Sequence, residues 1–203
     1  MASNDDNSDI HLAPVDNLAL LRGRAISAYA RVDWHLFMLL QALTDVPHLV
    51  AAEIYYNIVN TRSRVAIFTN ILSTTFIELK PFWSGVLSEY GKLTTTRNSI
   101  IHWVSRGSDD RLMPPNFLSH KETTPSIGPD DLISFCAKAD QISEATWMFT
   151  RIMLPDEGDD IISEICETWL GIFQLPFVYP FPDSHPLHPS HRGRSNPLRS
   201  SAR

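Results

Sequence analysis

The sequence predicts an all-α fold, an antiparallel bundle of four to five helices. Apolar side chains recur at steps of three and four residues in successive stretches of the chain, which is the period of one face of an α-helix. No stretch is β-rich, and no internal repeat is present. The composition, with 43% hydrophobic and 20% charged residues among 203, is that of an ordinary globular protein that can bury a core. These features together favour helices packed on helices.

The strongest periodic signal marks the first helix, which is predicted from Leu18 to Leu43. Its apolar stripe consists of residues 18, 21, 25, 29, 32, 36, 39 and 43. Asp45 can cap the next segment and Pro47 can open it, so that a second long helix is expected over about 47 to 75. The same period continues there through Val50, Ile54, Ile58, Val65, Phe68 and Leu72.

The third helix is predicted to begin near Pro81 and to end at Gly107. Its apolar positions are Val86, Tyr90, Leu93, Ile100 and Val104. The following segment, from 107 to 129, has no sustained period, carries two consecutive prolines and is rich in turn residues. It predicts a long loop before the fourth helix, in which a short hairpin is one option, and loops of this length usually serve a function.

Two further helices are predicted to close the bundle. Pro129 followed by Asp130 and Asp131 makes a favourable first turn, because carboxylates stabilise the positive end of a helix dipole. The fourth helix then extends to about Met153 on the stripe Leu132, Phe135, Ala139, Ile142, Phe149 and Ile152. A shorter fifth helix is expected over about 159 to 174 on the stripe Ile162, Ile165, Trp169 and Ile172.

The two ends of the chain lack the pattern of packed structure. Residues 1–16 carry four aspartates and neither Lys nor Arg, whereas residues 176–203 contain six prolines with serine, histidine and arginine between them. The sequence therefore predicts a disordered acidic N-terminus (1–16), a helical bundle (17–175) and a disordered Pro/His/Arg-rich tail (176–203). The H-x2-H-x2-H run in that tail indicates adventitious metal binding at most, so no metal site is predicted.

Charge and cysteine content restrict the functional classes. Because the formal net charge is −6, non-specific coating of nucleic acid is not expected, although a localised cationic site is compatible with it. Cys136 and Cys166 indicate neither a disulfide framework nor a zinc site, which fits a reduced, cytoplasmic compartment. No signal peptide and no apolar run long enough to cross a membrane is found. Glycine-rich phosphate loops and nucleophile motifs are also missing, so no cofactor is expected.

The predicted third helix breaks its own pattern at Arg97. The apolar stripe steps from Leu93 to Ile100, and Arg97 occupies the position between them, where a core residue is due. A buried guanidinium must be matched, because an unpaired charge in an apolar core costs several kcal/mol. The candidate partners are a carboxylate such as Asp33 or Glu53, a second subunit, or a bound anionic ligand.

His102 follows Arg97 by five residues. At about 100° per residue, Asn98 and His102 share a helix face, and Arg97 lies about 140° from His102, so that the two side chains flank a site. An imidazole can exchange protons with a ribose 2′-hydroxyl or a leaving 5′-oxygen, and an arginine fork can hold the phosphate as charge develops on it. The pair is therefore suited to RNA transesterification, a scheme that requires no metal.

The run Arg97-Asn98-Ser99-Ile100-Ile101-His102 resembles the HEPN superfamily, in which an Arg-x(4–6)-His motif lines a ribonuclease site. The AYARVDWHLFMLLQAL segment of the first helix, the long second helix, and the position of the motif before a loop and closing helices are also similar to that family. The similarity covers roughly residues 17 to 175, and the two chain ends have no counterpart in it.

The resemblance implies a metal-independent endoribonuclease, plausible in a toxin or defence system with an antitoxin protein as partner. It implies that Arg97 and His102 are the catalytic pair and that Asn98 binds substrate. It also implies a homodimer through the third helix, because in that family two protomers generally each contribute an Arg/His pair to one site. The alternative function is a non-catalytic HEPN-like module that binds a protein partner or a nucleotide.

A purely structural interpretation of the same residues stays open from the sequence. Arg97 can form an interhelical salt bridge, for example to Asp33, and His102 can be a helix-end histidine that favours the negative end of the dipole. Three arginines of the first helix lie off its apolar stripe and are most simply a solvated face, namely Arg22, Arg24 and Arg31.

Overall fold

The computed structural model describes residues 14–105, 110–115, 125–155, 163–185 and 188, without the side chains of residues 14, 15 and 163–165. This part of the chain is mainly helical: α1 (Pro14–Thr44), α2 (His48–Asn57), α3 (Thr61–Thr75), α4 (Lys80–His102), α5 (Pro129–Met153) and α6 (Ser163–Phe173). A short 3-10 turn, Ile77–Leu79, precedes α4. Two short antiparallel strands follow α4, namely β1 (Val104–Ser105) and β2 (Leu112–Met113). The prediction of an all-α protein is confirmed.

The predicted second helix is two helices, α2 and α3, so the expectation of one helix from 47 to 75 is wrong. Asn60 is the N-cap of α3, where its side chain accepts a hydrogen bond from the Arg62 amide at 2.8 Å. Such a cap satisfies a backbone donor that an uninterrupted helix would bond internally. The break was hidden because the apolar periods of the two helices continue each other.

The third predicted helix corresponds to α4, which ends at His102 and not at Gly107. Trp103 has an extended backbone, with φ −80° and ψ 152°. The chain then pairs Val104 with Met113 in the β1–β2 ribbon, and an isolated bridge joins Leu112 to Ile127. The short hairpin considered for the 107–129 segment therefore exists, but it begins earlier, and Val104 is exposed instead of lying in the core.

The most extensive helix pair in the described chain, α1 with α5, runs parallel. Arg31 contacts Asp140, and one turn later His35 contacts Ser143, so residue numbers rise together along both helices. By the same criterion α4 is antiparallel to α1. The prediction of a wholly antiparallel bundle is therefore wrong for this pair, because α5 reverses direction once more after α4.

Residues 176–185 pack against the bundle as an arm, which we call the C-terminal arm. Phe177 and Phe181 are each only 6% exposed. Gly85 of α4 makes room for the arm, since a Cβ at that position would collide with the Phe177 carbonyl oxygen. The expected tail boundary at 176 is therefore too early, because Phe177 and Phe181, four residues apart, bury their rings instead of exposing them to water. The other residues expected to be disordered lie outside the described part, apart from the start of α1 and residue 188.

An aromatic cluster joins the last two helices and the arm to α4. The rings of Trp83 and Phe149 lie 4.5 Å apart, and those of Phe82 and Phe173 lie 5.1 Å apart, both edge to face. Such contacts add to the hydrophobic effect and fix how the elements pack. None of the described helices is long and apolar enough to span a membrane.

Candidate functional site

Arg97 lies on α4 between the buried residues Leu93 and Ile100, as the break in the apolar stripe predicted. The guanidinium is half-buried: Nη1 donates to the Asn98 Oδ1 at 3.2 Å, and Cζ lies 5.4 Å from the centre of the Tyr29 ring. Its Nε is buried and has no hydrogen-bond partner. In the described ranges no carboxylate forms an ion pair with it. Arg97 is thus a partly desolvated cation without a counter-charge.

Asp33, which the sequence offered as a partner for Arg97, pairs with a different arginine. Its Oδ1 accepts hydrogen bonds from Arg64 Nη1 at 3.2 Å and from the hydroxyls of Tyr55 and Tyr90 at 2.9 Å each. This carboxylate is therefore fully engaged between α1, α2, α3 and α4. The interpretation of Arg97 as the partner of Asp33 is wrong.

Glu53, the other carboxylate considered for Arg97, is also engaged elsewhere. It lies on the exposed side of α2, and its Oε2 accepts from Asn57 Nδ2 at 2.9 Å. Of the partners considered for Arg97, a second subunit and an anionic ligand remain.

The Asp33 network also fixes the ring on which Arg97 rests. Burial, reinforced by the Asp33 carboxylate, raises the pKa of Tyr55 and Tyr90 far above the usual value, so both hydroxyls remain protonated donors. The Tyr29 hydroxyl donates to that of Tyr90 at 3.4 Å. A cation over a ring held in this way is stabilised by the ring quadrupole, which does not neutralise its charge.

His102 is the last residue of α4, and its side chain is exposed. The turn that carries it is closed by two bonds. The Trp103 amide donates to the Ser99 carbonyl at 2.9 Å, and the Ile101 carbonyl accepts from Arg22 Nη2 of α1 at 2.7 Å. The histidine thus projects from a helix end that α1 holds in place.

The candidate catalytic pair lies on one helix but not on one face. Five residues of α-helix place Arg97 and His102 about 7.5 Å apart along the axis and about 140° apart around it. Asn98 and His102 are both exposed, one turn apart on the same side of α4. Within the described residues no hydrogen bond joins Arg97 to His102. One chain therefore directs the guanidinium toward α1 and the imidazole toward solvent.

Sequence reasoning missed the contacts of two arginines on α1. Arg22 was assigned to a solvated face, but it is half-buried and bonds to α4, and Arg31 pairs with Asp140 at 2.5 Å on the surface. Arg24 and Arg31 are both exposed, as the solvated-face interpretation predicts, whereas Arg22 is not. The available signal for Arg22 was its position directly after Leu21, at the edge of the apolar stripe.

A histidine–serine pair, His35 and Ser143, joins α1 to α5 as a structural contact. His35 Nδ1 lies 2.7 Å from the Ser143 hydroxyl and 3.0 Å from the Ser143 carbonyl, and its ring stacks on Trp147. Burial lowers the pKa of His35, opposed by the Ser143 carbonyl and assisted by Arg31. Ser143 is only 5% exposed, so its hydroxyl cannot reach a substrate.

Arg97, Asn98 and His102 of α4 thus form the candidate functional site. The chain matches no protein-family model, no curated protein and no solved structure.

Proposed function

We propose that the protein is a metal-independent endoribonuclease of HEPN type that cleaves RNA by transesterification. The observation that carries the proposal is the guanidinium of Arg97, which is half-buried, has an unpartnered Nε and lacks a carboxylate partner in the described chain. Arg64, which is similarly buried, is matched by Asp33. A partly desolvated cation that no carboxylate neutralises favours an anion as its partner, and a phosphodiester fits the arginine fork.

The reaction follows from the two side-chain types. The ribose 2′-oxygen attacks the adjacent phosphorus while the bond from phosphorus to the 5′-oxygen breaks, which leaves a 2′,3′-cyclic phosphate and a 5′-hydroxyl. An imidazole accepts the 2′-hydroxyl proton, and an imidazolium donates a proton to the leaving 5′-oxygen. Arg97 binds the non-bridging oxygens, where negative charge increases. His102 moves protons, and Asn98, on the same side of α4, contacts the substrate.

A homodimer through α4 would complete the site. Because Arg97 and His102 of one chain point in directions about 140° apart, a single copy does not bring both to one phosphate. A two-fold axis beside α4 would bring each guanidinium close to the second copy's imidazole. Most exposed positions of α4 between residues 84 and 102 are small or polar, which supports a close approach; they are Ser84, Ser88, Thr95, Asn98 and His102, with Lys92 the one charged exception among them.

Cleavage of single-stranded RNA in the presence of EDTA tests the proposed activity. We expect the wild type to produce 2′,3′-cyclic phosphate ends, and Arg97→Ala and His102→Ala each to lower the rate by about a hundredfold or more. Arg24→Ala is the matched control, because it removes an exposed arginine of α1 and should leave the rate unchanged. Failure of the wild type to cleave RNAs of varied sequence and structure would refute the proposal.

The second candidate function is a non-catalytic module that binds a protein partner, such as an antitoxin. It is favoured by α2, which buries Ala51 and Tyr55 but leaves Leu49 78% exposed, with Val50 and Ile54 also exposed. A helix that is apolar on both sides is typical of one covered by another protein.

Sedimentation of surface variants distinguishes the two faces. Thr95→Glu on α4 should dissociate a dimer of the ribonuclease type, whereas Leu49→Glu on α2 should not. The reverse result would assign self-association to α2 and would refute the composite site on α4. A strict monomer at micromolar concentration would refute it as well.

A further inference from the structure

We infer that Arg22 of α1 is a positioning residue for His102, an inference that rests on the proposed ribonuclease function. Arg22 Nη2 donates to the Ile101 carbonyl at 2.7 Å, from a residue 79 positions away in the chain. Ile101 immediately precedes His102, so the bond fixes the turn from which the imidazole projects. Arg22 lies on a different helix and is not part of the sequence motif from Arg97 to His102.

The need for such a bond follows from where α4 stops. The last carbonyls of a helix have no partner within it, and the final turn frays unless they are satisfied. The backbone leaves the helix at Trp103, whose amide uses the Ser99 carbonyl. Arg22 supplies both a donor for the Ile101 carbonyl and a positive charge at the negative end of the helix dipole.

The spacing on α1 also relates the two members of the proposed catalytic pair. Arg22 and Tyr29 are seven residues apart, so they lie two turns apart on one face of α1. Tyr29 lies under the guanidinium of Arg97, and Arg22 holds the turn of His102. A single rigid helix therefore sets the separation between the phosphate-binding and the proton-transferring side chains.

Arg24 provides a matched comparison on the same helix. It carries the same charge two residues further on, is exposed, and borders a groove between α1 and α5 next to Cys136, away from α4. A general effect of positive charge on α1 would be shared by both arginines. An effect through Ile101 belongs to Arg22 alone.

The test uses the full chain with Arg22→Met, which keeps an unbranched apolar stem but removes the donors and the charge, and with Arg24→Met as the control. By NMR, we expect the Trp103 amide of Arg22→Met to exchange about tenfold faster with solvent and the His102 ring signals to shift and broaden. Arg22→Lys should recover part of the wild-type amide protection at Trp103 and part of the wild-type His102 signals. Arg24→Met should leave both the exchange rate and the His102 signals unchanged. Unchanged exchange at Trp103 and unchanged His102 signals in Arg22→Met would overturn the inference.

Kinetics separate positioning from direct binding. In RNA cleavage, Arg22→Met should lower kcat about tenfold or more with KM nearly unchanged, because the variant misplaces a group needed in the transition state. A rise in KM with kcat unchanged would show that Arg22 binds RNA itself and would overturn the positioning role. If the wild type does not cleave RNA, the proposed function fails, and the NMR comparison still decides whether Arg22 orders the turn of His102.

Discussion

Replacing Asp33 by alanine is expected to destabilise the fold by roughly 3–5 kcal/mol, because it leaves a half-buried cation and two buried hydroxyls without their acceptor. Arg64 and Asp33 have side-chain exposures of only 13% and 23%, so solvent cannot replace the lost carboxylate. Tyr55 and Tyr90 each donate to the same carboxylate oxygen at 2.9 Å. Asp33→Asn keeps an acceptor oxygen but loses the charge, and it should cost about 1–2 kcal/mol.

Thermal and urea unfolding followed by circular dichroism measure these differences. A loss of 3–5 kcal/mol corresponds to a fall in Tm of roughly 10 °C for a chain of this size. Asp140→Ala is the matched control, since its ion pair with Arg31 is exposed on both sides and should contribute no more than about 1 kcal/mol. If Asp33→Ala and Asp140→Ala were equally stable, the buried network would not hold the four helices together, and Asp33 would not be energetically committed to Arg64.

Two further predictions concern the packing of the arm and the response to acid. Gly85→Ala should displace the C-terminal arm and expose it to limited proteolysis near Phe177, whereas Gly91→Ala on the same helix, with no atom within 4 Å of the added Cβ, should be neutral or slightly stabilising. Burial raises the pKa of Glu89, but hydrogen bonds from two lysines outweigh it and lower the pKa overall, so Glu89 stabilises the fold above about pH 4.5 and this contribution is lost as the pH falls through the lowered value. Glu89→Gln should therefore be less stable than wild type at pH 7, and equal stability of the two at pH 7 would contradict the ion pairs.

Much of the helical fold could be predicted because apolar periodicity is a local property. α5 has the predicted bounds, Pro129–Met153, since a proline and two aspartates open it and a regular stripe continues through it. The break between α2 and α3 could not be predicted in the same way. Asn60 caps α3 between two apolar runs that remain in phase, and the period alone does not show that the chain leaves the helix there.

The surroundings of Arg97 could be predicted only in part. The gap in the stripe between Leu93 and Ile100 placed the guanidinium at the core boundary, because that pattern belongs to α4 alone. The partner of Asp33 depends on the angle at which α3 crosses α1, and no local pattern marks Arg64 for it. The C-terminal arm was missed for a related reason: its phenylalanines pack in an extended segment, which has no helical period to detect.

The most direct test of a phosphate at Arg97 is the affinity for a single-stranded oligonucleotide in which every ribose is 2′-O-methylated and cannot be cleaved. Binding is measured by fluorescence anisotropy over a range of salt concentrations for the wild type, Arg97→Gln and Arg24→Gln. We expect Arg97→Gln to weaken binding about tenfold and to reduce the slope of log K against log salt by about 0.7, the value for one phosphate contact on a single strand. Arg24→Gln should retain the wild-type slope. Equal affinity and slope for wild type and Arg97→Gln would contradict the assignment of Arg97 to RNA phosphate.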